Sequence, residues 1–239
     1  MDLKVSGGPM PLAKFKALYP TPVTTPWLDQ QLFPALRGGT FDLREFRLHG
    51  RLDQLKQLGR PVHRHRLKLD LEVRETTVFA DRPGLPLTNV SAHVLIDRGA
   101  LGIARLAGGF GESRIERADF GIGDLYQPPL RLEGTLDGLF QLGDLKEQSS
   151  APWFSGTARH LFKPVTAASG TLNATAGFRI TCTDPVQRRV WGTFDLGSSQ
   201  VQLAVLAAPL VLQAGQVEVD ETGRADFTAQ ARLAESDFS

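Results

Sequence analysis

The sequence contains little cysteine and no long apolar run, and both shortages restrict what the protein can be. Its single cysteine, Cys182, excludes an internal disulfide, and we interpret it as a small apolar strand residue rather than a reactive thiol. No stretch reaches the ~18 apolar residues of a membrane-spanning helix, since the nearest candidate, residues 201–212, contains a glutamine and a proline. Residues 1–10 also lack the apolar core of a signal peptide. At face value these features predict a soluble cytoplasmic chain, or a piece of a longer protein whose targeting segment lies elsewhere.

The sequence also lacks an excess of charge of either sign. Its 27 Lys and Arg residues nearly balance its 26 Asp and Glu residues, which gives a formal net charge of +1. Because nucleic-acid binders concentrate basic residues and no Lys/Arg-rich block occurs, we expect no nucleic-acid partner. Hydrophobic residues make up 41% and charged residues 22% of the chain, which indicates a folded domain rather than disorder.

Helical spacing is confined to residues 1–39, which we expect to form a short helical segment. Leu12, Phe15 and Leu18 recur at the helical period, and Tyr19-Pro20 ends that run. A second helix is predicted after a threonine cap, with Pro34 as an interruption and Gly38-Gly39 as its end. The residues that would share one side of this second helix are Trp27, Leu28, Leu32 and Leu36.

From Thr40 onward the hydrophobic period becomes two, which is the period of β-strands. In residues 67–74, four aliphatic side chains alternate with Lys68, Asp70, Glu72 and Arg74. Turn signals follow at intervals of about 8 to 12 residues, as at Asp97-Arg98-Gly99, and residues 108–111 predict a break. The predicted fold is therefore all-β, a long twisted antiparallel sheet in meander order with one or two short N-terminal helices. We expect a first sheet segment at 40–145, a looser connection at 146–164 and a continuing sheet segment at 165–239.

Strand after strand, the predicted sheet is aliphatic on one face and polar on the other. A sandwich would bury the apolar face against a second sheet, and a barrel would curl around it. A third arrangement leaves the sheet open as a groove and lets lipid chains cover the apolar lining. The patterning is compatible with all three.

The order of several short phrases resembles that in AsmA-like proteins, in particular the large YhdP-like proteins of bacterial envelopes. These phrases occupy residues 18–20, 27–29, 38–41, 48–52, 67–73, 85–90, 99–103, 108–109 and 132–138. The resemblance covers about residues 10 to 140. The chain departs from the family in being far shorter and in lacking the N-terminal membrane anchor, and both departures are those expected of a fragment.

The resemblance implies a periplasmic segment of a bridge-like lipid-transfer protein, tethered to the inner membrane by segments outside this chain. Its apolar β-groove would carry phospholipid between the inner and outer membranes, with other envelope proteins as further partners. No catalysis, cofactor or metal is then expected. The residues that would line the groove are Leu67, Leu69, Leu71, Val73, Val94, Ile96, Leu101, Ile103, Leu130 and Leu132.

Two other motifs are compatible with a binding site, but a structural explanation accounts for each of them better. His63 and His65 have the spacing of paired zinc ligands, but with no Cys/His cluster nearby a polar strand start explains them better. The glycines of residues 107–111 are not followed by the Lys-Ser/Thr of a phosphate loop, and a turn or bulge accounts for them.

Acidic pairs provide the last candidates for chemistry, and they leave two alternatives to lipid transfer. Asp119 with Asp124, or Glu133 with Asp137, would suit a glycosidase, although strands exposed to solvent carry such residues routinely. The first alternative is a non-catalytic β-sandwich or solenoid scaffold for envelope assembly. The second is a carbohydrate hydrolase with a β fold.

Overall fold

A computed structural model describes residues 2–18, 33–79, 86–149 and 162–233, which form a single antiparallel sheet of twelve strands. The strands are β1 (Asp2–Pro11), β2 (Leu36–Arg37), β3 (Thr40–His49), β4 (Leu67–Val78), β5 (Leu87–Asp97), β6 (Ala100–Phe110), β7 (Ser113–Ile122), β8 (Arg131–Gln141), β9 (Val165–Thr181), β10 (Gln187–Leu203), β11 (Leu210–Val219) and β12 (Ala225–Leu233). The short helices are α1 (Leu12–Leu18), α2 (Phe33–Ala35), α3 (Leu52–Leu55) and α4 (Leu142–Gln148), with a 3₁₀ helix at Pro61–Arg66.

The strands lie in the sheet in nearly the order in which they occur in the chain. From β3 to β12 each strand pairs with the next, while β1 pairs with β3 and the short β2 pairs with the end of β4. The sheet is open, with β1 and β12 as its edges. This arrangement confirms the predicted all-β antiparallel meander with short N-terminal helices.

The β5–β6 hairpin shows how local sequence produces this meander. Its two turn residues, Arg98 and Gly99, both have positive φ angles, 51° and 82°. Two-residue turns with positive φ match the twist of the flanking strands, and glycine adopts such angles without strain. The turn predicted at Asp97-Arg98-Gly99 is therefore confirmed.

Shifts in strand pairing of the kind that β-bulges produce recur through the sheet, and they keep the apolar side chains on one face over the length of the strands. Pairing shifts between Leu43 and Glu45, between Val73 and Thr76, and between Ile103 and Leu106. An extra residue in a strand returns the following side chains to the face they would otherwise leave. Strict alternation, as the sequence predicted it, therefore holds only between bulges.

A first apolar core closes over the apolar face of β1, β3 and β4. Phe15 of α1 stacks on Phe41 of β3, with ring centroids 5.1 Å apart, and Leu55 of α3 enters the same cluster. Burying each of these side chains contributes about 1.5 to 3 kcal/mol. The cluster consists of Met10, Leu12, Phe15, Phe41, Leu43, Phe46, Leu48, Leu55, Leu69, Leu71 and Val73.

A smaller core forms at the other end of the strands, where α4 packs on β8 and β9. Phe110 and Phe140 are buried there with ring centroids 6.0 Å apart, and Leu145 of α4 packs against them. One oxygen of Asp144 in α4 accepts hydrogen bonds from the backbone N–H of Glu112, at 2.8 Å, and from both the N–H and the hydroxyl of Ser113. This carboxylate joins α4 to the β6–β7 turn.

The N-terminal segment differs from the helical one expected for residues 1–39. Residues 2–11 form the edge strand β1, although α1 begins where predicted, and the edge strand carries a Gly7-Gly8 pair that weakens its period-two signal. The second predicted helix lies mostly outside the described residues. Its described remainder is the three-residue α2, which contains Pro34 and is followed by β2.

Three further expectations are corrected. Strand β6 continues to Phe110, so the turn is at Gly111-Glu112 rather than across residues 108–111. The first part of the connection expected at 146–164 belongs to α4, while residues 150–161 lie outside the described part of the chain. Cys182 is exposed just beyond the end of β9, so it is not the strand residue that was expected.

Replacing Asp144 tests the junction between α4 and the β6–β7 turn. Asp144→Ala leaves three donors without their acceptor, so we expect the free energy of unfolding to fall by about 1 to 3 kcal/mol. Urea denaturation followed by circular dichroism measures this change. Asp226→Ala on the exposed edge strand is the control, since its ion pair with Arg224 is solvent-exposed and worth little. Equal stability of the two variants would contradict the assigned role of Asp144.

Candidate functional site

One face of the sheet is covered by ion pairs and by an aspartate–histidine hydrogen bond between neighbouring strands. Lys68 Nζ lies 2.6 Å from Glu45 Oε2, and Asp70 Oδ1 lies 2.9 Å from His93 Nε2. Glu72 contacts both Arg44, at 2.7 Å, and Arg105. These contacts place the polar residues of β4 on the face opposite its leucines, as the alternation predicted.

The same charge pairs extend across the strands in the middle of the sheet. Glu133 of β8 contacts Arg131 and, on β9, Arg179, whose guanidinium lies 5.6 Å from the ring of Trp191. The carboxylate of Asp119 accepts a hydrogen bond from the backbone N–H of Arg105, at 2.8 Å, at the β6 bulge. This polar face consists of side chains paired within and between strands, several of which are exposed to solvent.

Two of these carboxylates are held in their ionised form. The hydrogen bond from Lys68 lowers the pKa of Glu45 below its usual value, and the charge on Lys68 acts in the same direction. The backbone N–H of Arg105 lowers the pKa of Asp119, with the guanidinium of Arg117 adding to the effect. Both groups stabilise the folded state when they are ionised.

On the opposite face, apolar side chains from successive strands lie in register. One row runs from Leu71 through Val94, Ile103 and Phe120 to Phe178. A parallel row consists of Leu69, Ile96, Leu101, Ile122, Leu132 and Ile180. Because paired residues in an antiparallel sheet point to the same side, these rows form a continuous apolar surface across six strands.

The middle of this surface belongs to neither of the two closed cores. We name it the central apolar strip, and its side chains are all partly exposed. Among the described helices, none makes an extensive contact with β6 or β7. The strip consists of Leu101, Ile103, Phe120, Ile122, Leu132, Phe178 and Ile180.

Gly134 of β8 shapes the floor of the strip. It lies in register between Phe120 of β7 and Phe178 of β9, whose rings are 6.0 Å apart. A Cβ atom at position 134 would collide with the Cβ of Phe120 and with the backbone carbonyl of Asp119. The absence of a side chain at this position lets the two rings approach each other across the middle strand.

The ten residues expected to line a groove fall into separate environments. Leu69, Leu71 and Val73 are buried in the first core. Leu67, Val94 and Ile96 are partly exposed and pack against that core. Leu101, Ile103 and Leu132 lie in the central apolar strip, and the partly exposed Leu130 immediately precedes β8.

Four strip residues, Phe120, Ile122, Phe178 and Ile180, were not among the residues expected to line a groove. In the sequence these four residues follow the same period-two spacing, and this spacing is the signal that indicates which face of the sheet they occupy. Their position beside Ile103 and Leu132 depends on the register of β7, β8 and β9. The β8–β9 pairing joins strands separated by 23 residues, a register that period-two patterning does not specify.

The other candidates for chemistry occupy structural positions. His63 and His65 lie in the 3₁₀ helix, so the strand start expected there begins only at Leu67. Within the part of the chain that the structure describes, no group of three or more His, Cys, Asp and Glu residues is arranged to hold a metal ion. None of the described helices is long and apolar enough to cross a membrane.

Three of the four carboxylates in the candidate acidic pairs form ion pairs with arginine residues. Asp119 contacts Arg117, and Asp124 contacts Arg64 at 2.5 Å. Glu133 is held by Arg131 and Arg179 as described above. Gly108 and Gly109 belong to β6.

Comparison of the chain with protein-family models, with curated proteins and with solved structures found no match. The functional argument therefore depends on the arrangement of the residues.

The lowered pKa values of Glu45 and Asp119 predict a specific acid sensitivity. Each group adds stability above its unfolded pKa, about 4, and that stability is lost as pH falls through the lower folded pKa. We expect the melting temperature of the wild type to drop more steeply from pH 5 to pH 3 than that of a Glu45→Gln/Asp119→Asn double variant. Parallel curves from differential scanning fluorimetry would show that these two groups contribute nothing.

Charged substitutions distinguish the closed core from the central apolar strip. Leu69→Lys places a charge in the first core, so we expect it to lose more than about 3 kcal/mol of stability or to unfold. Ile103→Lys, at a partly exposed position, is expected to lose about 1 kcal/mol. Urea denaturation of both variants provides the comparison, and similar losses would mean that the strip is as closed as the core.

Proposed function

We propose that the chain is a lipid-binding segment whose central apolar strip carries the acyl chains of phospholipid. The observation that supports this most directly is the partly exposed strip of aliphatic and aromatic side chains, in register across β6 to β9. A contiguous exposed apolar surface in a folded chain is typical of an interaction site. Acyl chains match it because the strip offers neither hydrogen-bonding groups nor charges on its seven side chains.

The energetics of such contacts suit transfer rather than fixed binding. Each methylene that leaves water on an apolar surface gains about 0.8 kcal/mol. These contacts are non-directional, so neighbouring positions of an acyl chain along the two parallel rows differ little in energy. A lipid can then move along the strip with its headgroup in water, and no covalent step or cofactor is needed.

The remaining parts of the fold are consistent with this role. The two closed cores supply stability on either side of the strip, so the strip itself need not be buried for the chain to fold. The polar face with its charge pairs keeps the other side of the sheet in water. An open sheet can also be extended through its edge strands, which suits one segment of a longer groove.

The sequence resemblance to AsmA-like proteins agrees with this proposal and supplies its cellular setting. In that setting the segment is part of a periplasmic protein that is tethered to the inner membrane. It carries phospholipid between the inner and outer membranes. The phrases that support the resemblance include residues 67–73 and 99–103, which contribute to β4 and β6.

Mass spectrometry of organic extracts from protein purified without detergent tests the proposal. We expect phospholipid at a reproducible ratio to the wild-type protein, and at least a fivefold lower ratio in Ile103→Lys. Thr135→Lys is the matched control, because Thr135 lies on the opposite, polar face of β8 and is exposed. It adds the same charge to the same part of the sheet, so its lipid content should equal that of the wild type.

A stable, lipid-free wild-type protein would contradict the proposal. The strip would then be covered by protein, and the scaffold alternative would take its place. Equal lipid loss in Ile103→Lys and Thr135→Lys would show that lipid follows net charge rather than the apolar strip.

A further inference from the structure

The end of β3 and the segment between β3 and β4 carry an unusual concentration of positive charge. Residues 49–66 contain five Lys and Arg residues against one Asp, and three of the chain's five histidines. The whole chain, in contrast, has a formal net charge of only +1. We name residues 49–66 the cationic rim.

The cationic rim lies at the boundary of the apolar face. Leu55 of α3 is buried in the first core and Leu58 packs against it, which fixes the segment over the apolar side of the sheet. Arg64 then reaches across the ends of the strands to Asp124, in the β7–β8 loop, at 2.5 Å. Its side chain also lies against the β5–β6 turn, since a Cβ on Gly99 would approach Arg64 Cδ to 2.9 Å. The rim therefore lies at the strand ends next to Leu101 and Ile122, which belong to one row of the central apolar strip.

Arg66 is a partly buried centre of positive charge in the rim. Its Nε donates to His63 Nδ1, at 3.3 Å, and one Nη donates to the carbonyl of His49. Among the described residues, no carboxylate forms an ion pair with Arg66, although the side chain is partly buried. A partly desolvated guanidinium with only neutral acceptors is favourable for binding an anion.

The histidines add further donors at the same place. Because His63 Nδ1 accepts from Arg66, a neutral His63 ring carries its proton on Nε2. The rings of His49 and His65 lie 5.4 Å apart, and His65 is exposed. His49 Nδ1 and Arg64 Nε are both buried without a hydrogen-bond partner among the described residues. The rim thus combines Arg66, which has no carboxylate partner among the described residues, with the ring of the exposed His65.

We propose that the cationic rim binds the phosphate of a net-anionic lipid headgroup while the acyl chains of that lipid lie on the central apolar strip. This inference rests on the proposed function, and adds to it a preference for headgroup charge. The occupant follows from the two surfaces together, since a cationic edge beside an apolar strip complements an anionic amphiphile. Free phosphate has the negative charge of such a lipid but lacks its acyl chains.

The affinities of the protein for two short-chain lipids measure this headgroup preference directly. We expect delipidated protein to bind dihexanoyl phosphatidylglycerol about five to ten times more tightly than dihexanoyl phosphatidylcholine, which has the same acyl chains but no net charge. In proton NMR spectra, phosphatidylglycerol should shift the ring signals of His49, His63 and His65. His93 serves as an internal reference, because it lies on the polar face against Asp70.

Substitutions at Arg66 separate charge from structure. Arg66→Gln should remove the preference for phosphatidylglycerol while leaving phosphatidylcholine affinity unchanged, and Arg66→Lys should retain most of it. Arg114→Gln is the matched control, since Arg114 is exposed at the opposite end of β7 and pairs with Glu116. It should bind both lipids as the wild type does.

The possible results separate this inference from the proposed function. Equal affinity for the two lipids, or an unchanged preference in Arg66→Gln, would overturn the headgroup assignment and leave acyl-chain binding in place. Binding of neither lipid would overturn the proposed function itself. If inorganic phosphate shifted the same three histidines with the affinity of phosphatidylglycerol, the rim would be a site for free phosphate and not for a lipid.

Discussion

The structure depends on one constraint: a single-layer sheet has two faces, and its apolar face must be removed from water by something other than a second sheet. Within the part of the chain that the structure describes, this constraint is met at two closed cores, where α1 and α3 cover β1, β3 and β4, and α4 covers β8 and β9. Hydrophobic burial in these cores is the main favourable term for folding. Between the two cores, the side chains of the central apolar strip are equally apolar but only partly buried. This difference in burial underlies the proposed lipid binding.

Bulges and charge pairs make a sheet of this length compatible with one apolar face. At the β6 bulge, Arg105 adopts a φ of 54°, its backbone N–H donates to Asp119, and its guanidinium reaches Glu72 on the polar face. The bulge lets Leu106 return to the apolar side, in register with Ala118 of β7. The bulge and the polar face therefore stabilise each other. The Asp119 carboxylate accepts the backbone N–H at the bulge, and the same hydrogen bond lowers the pKa of Asp119 and keeps it ionised.

The site was partly predictable because its residues alternate. Leu101, Ile103 and Leu132 were identified from period-two patterning and lie in the strip. The same pattern also selected Leu69, Leu71 and Val73, which the helices bury, because alternation reports which face a side chain occupies and not what covers that face. The cationic rim was missed as a unit. The spacing of His63 and His65 in the sequence indicates paired ligands or a polar strand start, whereas the contact of His63 with Arg66 depends on the 3₁₀ helix.

The sequence by itself determined the fold class, the assignment of residues to an apolar or a polar face within β4, and the β5–β6 turn. These features depend on neighbouring residues, whose spacing and backbone preferences are local properties. The tertiary structure alone decided which apolar rows are closed and which are open, because that depends on where α1, α3 and α4 pack. It also decided the register between β8 and β9, which brings Phe178 to Phe120 across Gly134. Such contacts join residues far apart in the chain, and the free energy that selects them comes from packing rather than from local periodicity.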